Sequence, residues 1–254
     1  METERFLQPL WDFILSKFGK VVSYWLFPWF LGSSVYIGVA LYFTVKDIGP
    51  WRDEKTRIHV ETFPTVRKVF DVGALQVVSY GAVNTVLWFG LPYFNVLPEK
   101  APTMMEVLRD LVVTVLTSDF LIYCNHLMHH KIIFLYRNVH FIHHQFTNDM
   151  FAWCASWVHP FEIGLTVVFM VLYPWILFPV HPLTLWMYAC VIVPFLVEEH
   201  SGHDVWWSPY NWVPSVCGGA VPHEVHHVKN KYNYGFVFAI WDRIFGTYLA
   251  PKDA

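Results

Sequence analysis

Histidine is concentrated in one part of this chain, and its spacing there constrains the fold more than any other feature. Of the 14 histidines, 13 lie between His126 and His227. Residues three and four apart share one face of an α-helix. We therefore expect helical segments that each direct their imidazole rings to one side, where they meet in a metal site. Eight histidines have this spacing, in three groups: His126 and His130; His140, His143 and His144; and His223, His226 and His227.

Eight converging imidazoles exceed the needs of a single ion. A structural zinc ion takes four ligands and its sites are usually rich in cysteine, but this chain has no Cys-x-x-Cys pair. The excess predicts two ions. Imidazole binds zinc, copper, nickel and iron, so the ligand type alone leaves the metal open.

The surroundings of the histidines are apolar. Hydrophobic residues make up 55% of the chain, charged residues only 15%, and the mean hydropathy is +0.37, whereas about a quarter of the residues of a soluble protein are charged. A helical span needs about 20 mostly apolar residues. These numbers predict an all-α, multi-pass membrane protein with about four spans. Its apolar stretches cover residues 21–45, 72–97, 111–123 with their flanks, and 163–197, the last broken into a hairpin at residues 179–182.

Lysine and arginine predict the orientation of these spans. Residues 46–71 contain six of them and residues 98–103 only one, so the first loop is predicted to be cytosolic. The order of the spans then brings all three histidine groups to the same cytosolic face, in a helical cap. The first 20 residues mix charged and apolar positions and show no cleavable signal peptide.

Two classes of partner or cofactor are disfavoured by the composition. The net charge is −3 and no basic run occurs, so nucleic acid is not an expected partner. The chain also has no Gly-x-Gly-x-x-Gly sequence for a nicotinamide or a flavin. Any electrons used here would come from another protein that docks at the cytosolic face.

Five sequence segments carry a resemblance to a known family. They read HLMHHK, LYRNVHFIHHQ, VEEHSGHD, HEVHH and WDRIFGTYL. In this order they resemble the fatty acid hydroxylase and sterol desaturase superfamily over residues 115–249, and within it the sterol hydroxylases most closely.

The resemblance implies a non-haem di-iron monooxygenase of the endoplasmic reticulum membrane. Such an enzyme uses O2 and takes electrons from NADPH through a reductase or cytochrome b5. The implied reaction is hydroxylation of a sterol side chain, such as the conversion of cholesterol to 25-hydroxycholesterol. The implied organisation is an N-terminal membrane region with two spans and a charged loop (residues 1–110), a di-iron domain (residues 111–250) and a short tail (residues 251–254).

The resemblance also adds one ligand to the eight histidines of the three groups. It implies no catalytic side chain apart from the metal ligands. His200 in VEEHSG occupies the place of one further ligand, and His203 is a weaker candidate for it. His129 lies about 100° around the helix from His130, so we place it outside the site. The predicted ligands are His126, His130, His140, His143, His144, His200, His223, His226 and His227.

Further residues are expected to support the ligands or to lie apart from them. A metal-bound imidazole commonly donates its second N–H to a carboxylate or carbonyl. Asp119 is the foremost candidate, because it lies two helical turns before His126. The other candidates are Glu162, His203 and Glu224, followed by Glu198, Glu199 and Asp242. The three remaining histidines are expected to be solvated (His59) or to cap helices or lie at the membrane interface (His159 and His181).

Several alternatives stay open. A fatty-acyl or sphingolipid hydroxylase, a sterol C4-methyl oxidase and a desaturase would keep the metal site and change the lipid. A histidine-rich metal transporter or a metal-binding regulatory protein would be of another class. Transport sites usually lie at mid-depth in the membrane, whereas these histidines flank the predicted spans, which disfavours a transporter.

Overall fold

Helices make up the regular structure of this protein in the computed structural model, which describes residues 5–21, 27–75, 98–172, 177–178 and 180–253. No strand occurs among these residues, which contain only isolated bridges. The predicted all-α class is therefore confirmed for them. The helices are α1 (Gln8–Val21), α2 (Phe27–Asp47), α3 (residues 66–75), α4 (Met104–Lys131), α5 (Ile133–Asn138), α6 (Pro160–Val167), α7 (Pro182–Glu199), α8 (Ala220–Lys229) and α9 (Ile240–Phe245).

The longest described helix, α4, carries histidines at its far end. It has 28 residues, which corresponds to a length of about 42 Å. It begins with a capping box, in which the Thr103 side chain accepts a hydrogen bond from the Glu106 backbone N–H and the Glu106 carboxylate accepts one from that of Thr103. Such reciprocal bonds satisfy donors that a helix start leaves free. The last two turns present His126 and His130.

Helix α7 runs beside α4 and α2 to the same end of the molecule. His181 caps its start by accepting a hydrogen bond from the Leu183 backbone N–H, so this helix begins at the predicted break. It ends at Glu199, directly before His200. Length and composition allow α7 to cross a membrane, with 18 residues and a mean hydropathy of 1.4, and it is the one described helix that meets this test.

The number of spans stays a prediction. Helix α2 covers most of the first predicted span, and α4 contains the third. The second predicted span lies mainly outside the described residues. The predicted domain boundary after residue 110 falls inside α4, so a continuous helix joins the two predicted regions.

Two apolar clusters attach the N-terminal helices to α7. At the start of α7, Trp11 and Ile14 of α1 pack against Leu183 and Trp186. Near its end, Phe43 of α2 belongs to a second cluster, which also contains residues 150–154 and Val197. Because burial of a large apolar side chain contributes about 1.5–3 kcal/mol, these contacts hold α1 at the start of α7 and α2 near its end.

Arg57 fastens the loop after α2 to the end of the molecule that carries the histidines. Its guanidinium pairs with Asp47 at 3.3 Å and donates hydrogen bonds to the carbonyl oxygens of Ser201 at 3.1 Å and Met150 at 2.8 Å. Gly202 lies against it with φ +71, and a Cβ there would overlap the guanidinium. The loop rich in lysine and arginine therefore lies at the histidine end, as the predicted topology requires.

Replacement of Arg57 by methionine should destabilise the protein. The change leaves the buried Asp47 carboxylate without its cation, and breaking a buried ion pair from one side costs about 3–5 kcal/mol. We expect this loss in the free energy of unfolding, measured by denaturation in detergent micelles. The matched control is Arg67→Met, since the Arg67 side chain is 91% exposed. Equal stability of the two variants would show that Arg57 does not fasten the loop.

Candidate metal centre

Two groups of histidines converge where α4, α7 and α8 come together. Within each group, one ring nitrogen of every histidine lies within 4.8 Å of the others. The two groups together contain all nine histidines that were predicted as ligands. The first group is His126, His130, His140, His144 and His226, and the second is His143, His200, His223 and His227.

The rings of one sequence motif do not all point to one group, contrary to our expectation. His140–Gln145 forms a 3₁₀-helix and not an α-helix. His140 and His144 join the first group and His143 joins the second. Helix α8 divides its histidines in the same way, with His226 in the first group and two rings in the second. The second and third motifs thus serve both groups, whereas His126 and His130 of the first motif both lie in the first group.

Backbone carbonyl groups fix the protonation of several rings. The Nδ1 atoms of His126 and His226 lie 3.0 Å and 2.6 Å from the carbonyl oxygens of Tyr234 and Tyr232. In the second group, Nδ1 of His200 lies 2.8 Å from the Leu196 carbonyl oxygen. A carbonyl oxygen only accepts hydrogen bonds, so Nδ1 carries the proton in each neutral ring. Nε2 is then a free lone pair that points inward.

His227 has the same arrangement, because its Nδ1 lies 2.8 Å from the carbonyl oxygen of Phe146. In the second group, Nε2 of His200 lies 3.2 Å from that of His143 and 2.9 Å from that of His223. The Nε2 atoms of His223 and His227 are 3.1 Å apart. Since Nε2 of His200 and of His227 carries no proton, hydrogen bonds donated by His143 and His223 can serve at most two of these three contacts, whereas one metal ion can accept a lone pair from all four nitrogens.

The first group shows the same crowding around His144. Its Nε2 lies 3.1 Å, 3.0 Å and 3.2 Å from the Nε2 atoms of His130, His140 and His226, more neighbours than one nitrogen can serve by hydrogen bonding. Nitrogens about 2.1 Å from a shared ion are about 3.0 Å apart at a right angle and about 3.4 Å apart at a tetrahedral angle. The donor set therefore fits a metal ion in each group.

Burial keeps these rings in the neutral form that binds metal. It lowers the pKa of His126 to about 4. Burial and the neighbouring imidazoles also hold the pKa values of His140 and His143 well below their usual range. Metal binding requires an unprotonated nitrogen, so the rings need not lose a proton at neutral pH before they bind an ion.

Glu162 lies where a residue that orients a ligand would lie. Its Oε1 is 2.7 Å from Nδ1 of His140, and both side chains are buried. A carboxylate that accepts from Nδ1 directs the Nε2 lone pair of this ring toward the first group. The second carboxylate oxygen of Glu162 has no recorded partner among the described residues.

Asp119 holds the loop before α9 by hydrogen bonds, whereas we expected it to contact a histidine. Its carboxylate accepts hydrogen bonds from the backbone N–H groups of Val237 at 2.7 Å and Phe238 at 3.3 Å, and from the Trp241 indole at 2.7 Å. The partners of the buried Asp119 carboxylate are thus mainly backbone N–H groups of the loop before α9. Because this loop also carries the Tyr234 carbonyl, Asp119 supports His126 through the backbone.

His203 lies outside both groups. Its Nε2 is 3.0 Å from Asp47 Oδ1 and its Nδ1 is 2.9 Å from the Thr56 hydroxyl, so both nitrogens are engaged by the N-terminal part of the chain. His129 also lies outside, with Nδ1 2.8 Å from the Asn125 carbonyl oxygen. The exclusion of His129 agrees with its predicted position on the helix.

Glu224 has a partner that the sequence did not indicate. It lies 2.6 Å from Nε2 of His59, which we expected to be solvated. Nothing in the sequence pattern links these residues, because they are far apart in the chain. His159 and His181 cap α6 and α7, as one of their two predicted roles required.

Glu199 is a further carboxylate beside the second group. Its Oε1 lies 3.7 Å from Nδ1 of His200 and 4.0 Å from Nδ1 of His223. Glu198, by contrast, lines no part of the cavity at the metal centre. Asp242 accepts hydrogen bonds from the backbone N–H groups of Tyr234 and Gly235, so it also supports the loop that holds His126.

A cavity of about 120 Å³ opens beside the two groups. Rings from both groups form one wall of it. Asn125 and Glu199 each leave a buried oxygen without a recorded partner among the described residues. The apolar walls come from α4, α6, α7 and the loop before α9, and they include Ile122, Ile163, Val167, Met170, Leu196 and Phe236. An apolar group bound in this cavity would lie directly beside the candidate metal ions.

Comparison with known proteins identifies relatives over almost the whole chain. A family model described as fatty acid hydroxylase matches residues 111–247. Cholesterol 25-hydroxylase of Mus musculus is 32% identical over 249 residues, which cover 95% of this chain and 82% of that protein. Cholesterol 25-hydroxylase of Homo sapiens is 31% identical, with coverage of 95% and 90%. No solved structure matches the chain with statistical significance.

Loss of one histidine from one group should remove one ion and leave the other. We expect wild-type protein to hold about two ions per chain and His144→Ala or His200→Ala to hold about one, since each variant leaves the other group's ligands in place. Elemental analysis of purified protein measures this ratio. His159→Ala is the control, because its ring caps a helix. Full metal content in both variants would contradict the assignment of the two groups.

Replacement of Glu162 by glutamine should weaken metal binding without removing a ligand. The amide keeps the size of the side chain but loses the charge that favours Nδ1 protonation of His140. Loss of such a partner typically lowers metal affinity 10–100-fold. Competition with a chelator of known affinity measures the change, and Glu61→Gln, an exposed carboxylate, is the control. If the Glu162→Gln and Glu61→Gln variants bind the metal with equal affinity, Glu162 does not orient His140.

Proposed function

The chain belongs to the fatty acid hydroxylase family, and we propose that it hydroxylates a sterol side chain at two iron ions held by the nine histidines of the two groups. One observation carries the metal centre: buried imidazoles bring their Nε2 atoms to about 3 Å from one another. The names of the family and of the relatives indicate a lipid or sterol hydroxylase.

The proposed reaction is R–H + O2 + 2 e⁻ + 2 H⁺ → R–OH + H2O. Protein side chains do not oxidise an unactivated C–H bond unaided. The iron ions, when bound, would activate O2 for this oxidation. Two electrons are consumed in each turnover. We propose that they come from NADPH through a reductase or cytochrome b5, since the chain has no motif for a nicotinamide or a flavin.

The residues of the cavity would position the substrate and exclude water. Ile163 and Leu196 bring apolar walls to the same space as the rings of His126 and His143. The cavity is smaller than the roughly 300–1,000 Å³ of most ligand pockets, so it suits the end of a side chain better than a fused ring system. A dry apolar space also protects a reactive oxidant from water.

The proposed location is the endoplasmic reticulum membrane, with several spans and the metal centre on the cytosolic side. Two observations support the orientation. The loop with the excess of lysine and arginine is fastened by Arg57 to the end of the molecule that carries the histidines, and cytosolic loops carry such an excess. The candidate span α7 ends beside the metal centre, so a lipid substrate could enter from the bilayer.

The other readings of the sequence are less well supported. The matched relatives are cholesterol 25-hydroxylases, which favours a sterol over a fatty-acyl or sphingolipid substrate and hydroxylation over desaturation. The histidines lie in the last turns of α4, just after α7, and in the short α8. Transported ions are usually bound at mid-depth between helices, so this placement favours an enzyme over a metal transporter.

Expression of the chain in cells should produce a hydroxylated sterol. Lipid mass spectrometry would compare wild-type protein with the His140→Ala/His143→Ala variant, which loses one ligand from each group and is matched for expression. We expect the product with wild-type protein alone. Detection of a different oxidised lipid would support the proposed metal centre and identify another substrate. No oxidised lipid, together with purified protein free of iron, would overturn the proposed function.

A further inference from the structure

Four cations lie on two segments that meet beside the first histidine group. They are Lys131 and Arg137, next to and within α5, and Lys229 and Lys231 at the end of α8. All four are exposed. No ion pair is recorded for any of them within the described part of the chain, whereas other cations such as Lys46 and Lys68 have carboxylate partners.

The local sequence leaves this positive charge uncompensated. Residues 120–148 contain two cations and no aspartate or glutamate, and the same is true of residues 225–241. The two segments meet in the structure, because the Tyr136 hydroxyl donates a hydrogen bond to Asn230 Oδ1 at 3.1 Å. Arg137 follows Tyr136 in the chain, and Lys229 and Lys231 flank Asn230. This contact brings the backbone of Arg137 near that of Lys229 and Lys231, and Lys131 lies two residues before α5. We call these four cations the basic surface.

The basic surface lies one aromatic ring away from the candidate metal centre. The half-buried Tyr136 ring is 5.3 Å from the ring of His130 and 6.0 Å from that of His144. Its hydroxyl reaches the surface beside Lys229 and Lys231 through Asn230. Electrons that arrive at this surface would have a short route to the first histidine group.

Apolar side chains lie within the same patch. Ile133 is 61% exposed and Phe134 is 67% exposed, and both are in α5 between Lys131 and Arg137. An apolar centre with a charged rim is the usual anatomy of a protein–protein interface. Opposite charges across such an interface raise the rate of association and set its orientation.

We propose that the basic surface docks an acidic electron-transfer protein that delivers electrons one at a time to the first histidine group. This inference rests on the proposed function, which consumes two electrons and two protons with each O2 and forms one water. Two docking events would supply both electrons. The chain's own contribution is the charge that recruits the donor and the Tyr136 ring that links the surface to His130.

Binding of a defined donor tests this proposal independently of catalysis. The probe is the soluble haem domain of cytochrome b5, an acidic one-electron donor, and the full chain is embedded in nanodiscs of neutral lipid. We expect salt-sensitive binding, because about 1 M salt shortens the screening length to about 3 Å. The Lys229→Glu/Lys231→Glu variant should bind at least about tenfold more weakly.

The matched control is Lys55→Glu/Arg67→Glu, which changes the net charge by the same amount at exposed positions outside the two segments that carry the basic surface. We expect this control to bind the donor as the wild-type protein does. Equal binding by the wild-type protein and the Lys229→Glu/Lys231→Glu variant would overturn the proposal, and so would equal weakening in the control. If that variant binds the donor normally but loses affinity for vesicles that contain phosphatidylserine, the surface contacts anionic lipid and the proposal is wrong.

A single turnover separates this inference from the proposed function. Protein reduced with dithionite needs no docked donor, so after exposure to O2 the Lys229→Glu/Lys231→Glu variant should form as much hydroxysterol as the wild-type protein. Turnover driven by the haem domain should fall with the weakened binding. Absence of product from reduced wild-type protein would contradict the proposed function but leave the binding result to decide the docking surface.

Discussion

The structure depends on the balance between burying nine imidazoles and pairing their nitrogens. A buried polar group without a hydrogen-bond partner or a metal ion costs free energy. Nine buried rings in one place therefore require partners for their nitrogens. Backbone carbonyl groups compensate the outer nitrogens of His126, His200, His226 and His227. They also leave the inner nitrogens of these four rings as lone pairs, and a metal ion in each group would accept several lone pairs at once. The same hydrogen bonds that stabilise the protein therefore create its demand for metal.

Long helices bring these short segments together. Helices α4 and α7 end at the same place, and the loop before α9 is held there by Asp119 and Asp242, whose carboxylates accept its backbone N–H groups. On the opposite side, Arg57 holds the loop after α2 against the carbonyl groups around Ser201. Neither carboxylate nor the arginine touches a ligand directly, but each limits the movement of a segment that does.

Sequence patterns predicted the helical class and the set of converging histidines because both depend on residue type and spacing. His200 came from family resemblance, since it stands alone in the chain. The division of the second and third histidine motifs between the two groups was not predictable from spacing, because it occurs both in a 3₁₀-helix (His140–Gln145) and in an α-helix (α8) and depends on how these segments pack against each other. The partners of Asp119 and His59 were also missed. Backbone N–H groups leave no mark in a sequence, and Glu224 lies far from His59 in the chain.

The division of the motifs has a consequence for how the protein is made. Both groups need rings from α8, whereas His126, His130, His140, His143, His144 and His200 all leave the ribosome earlier. Chains are synthesised from the N-terminus, so neither group is complete while the first helices are being inserted. The full set of ligands for either group therefore exists only after α8 has been synthesised. The proposed iron ions would then be loaded late, onto a chain whose helices are already in place, and a cell short of iron would accumulate a folded but unloaded protein.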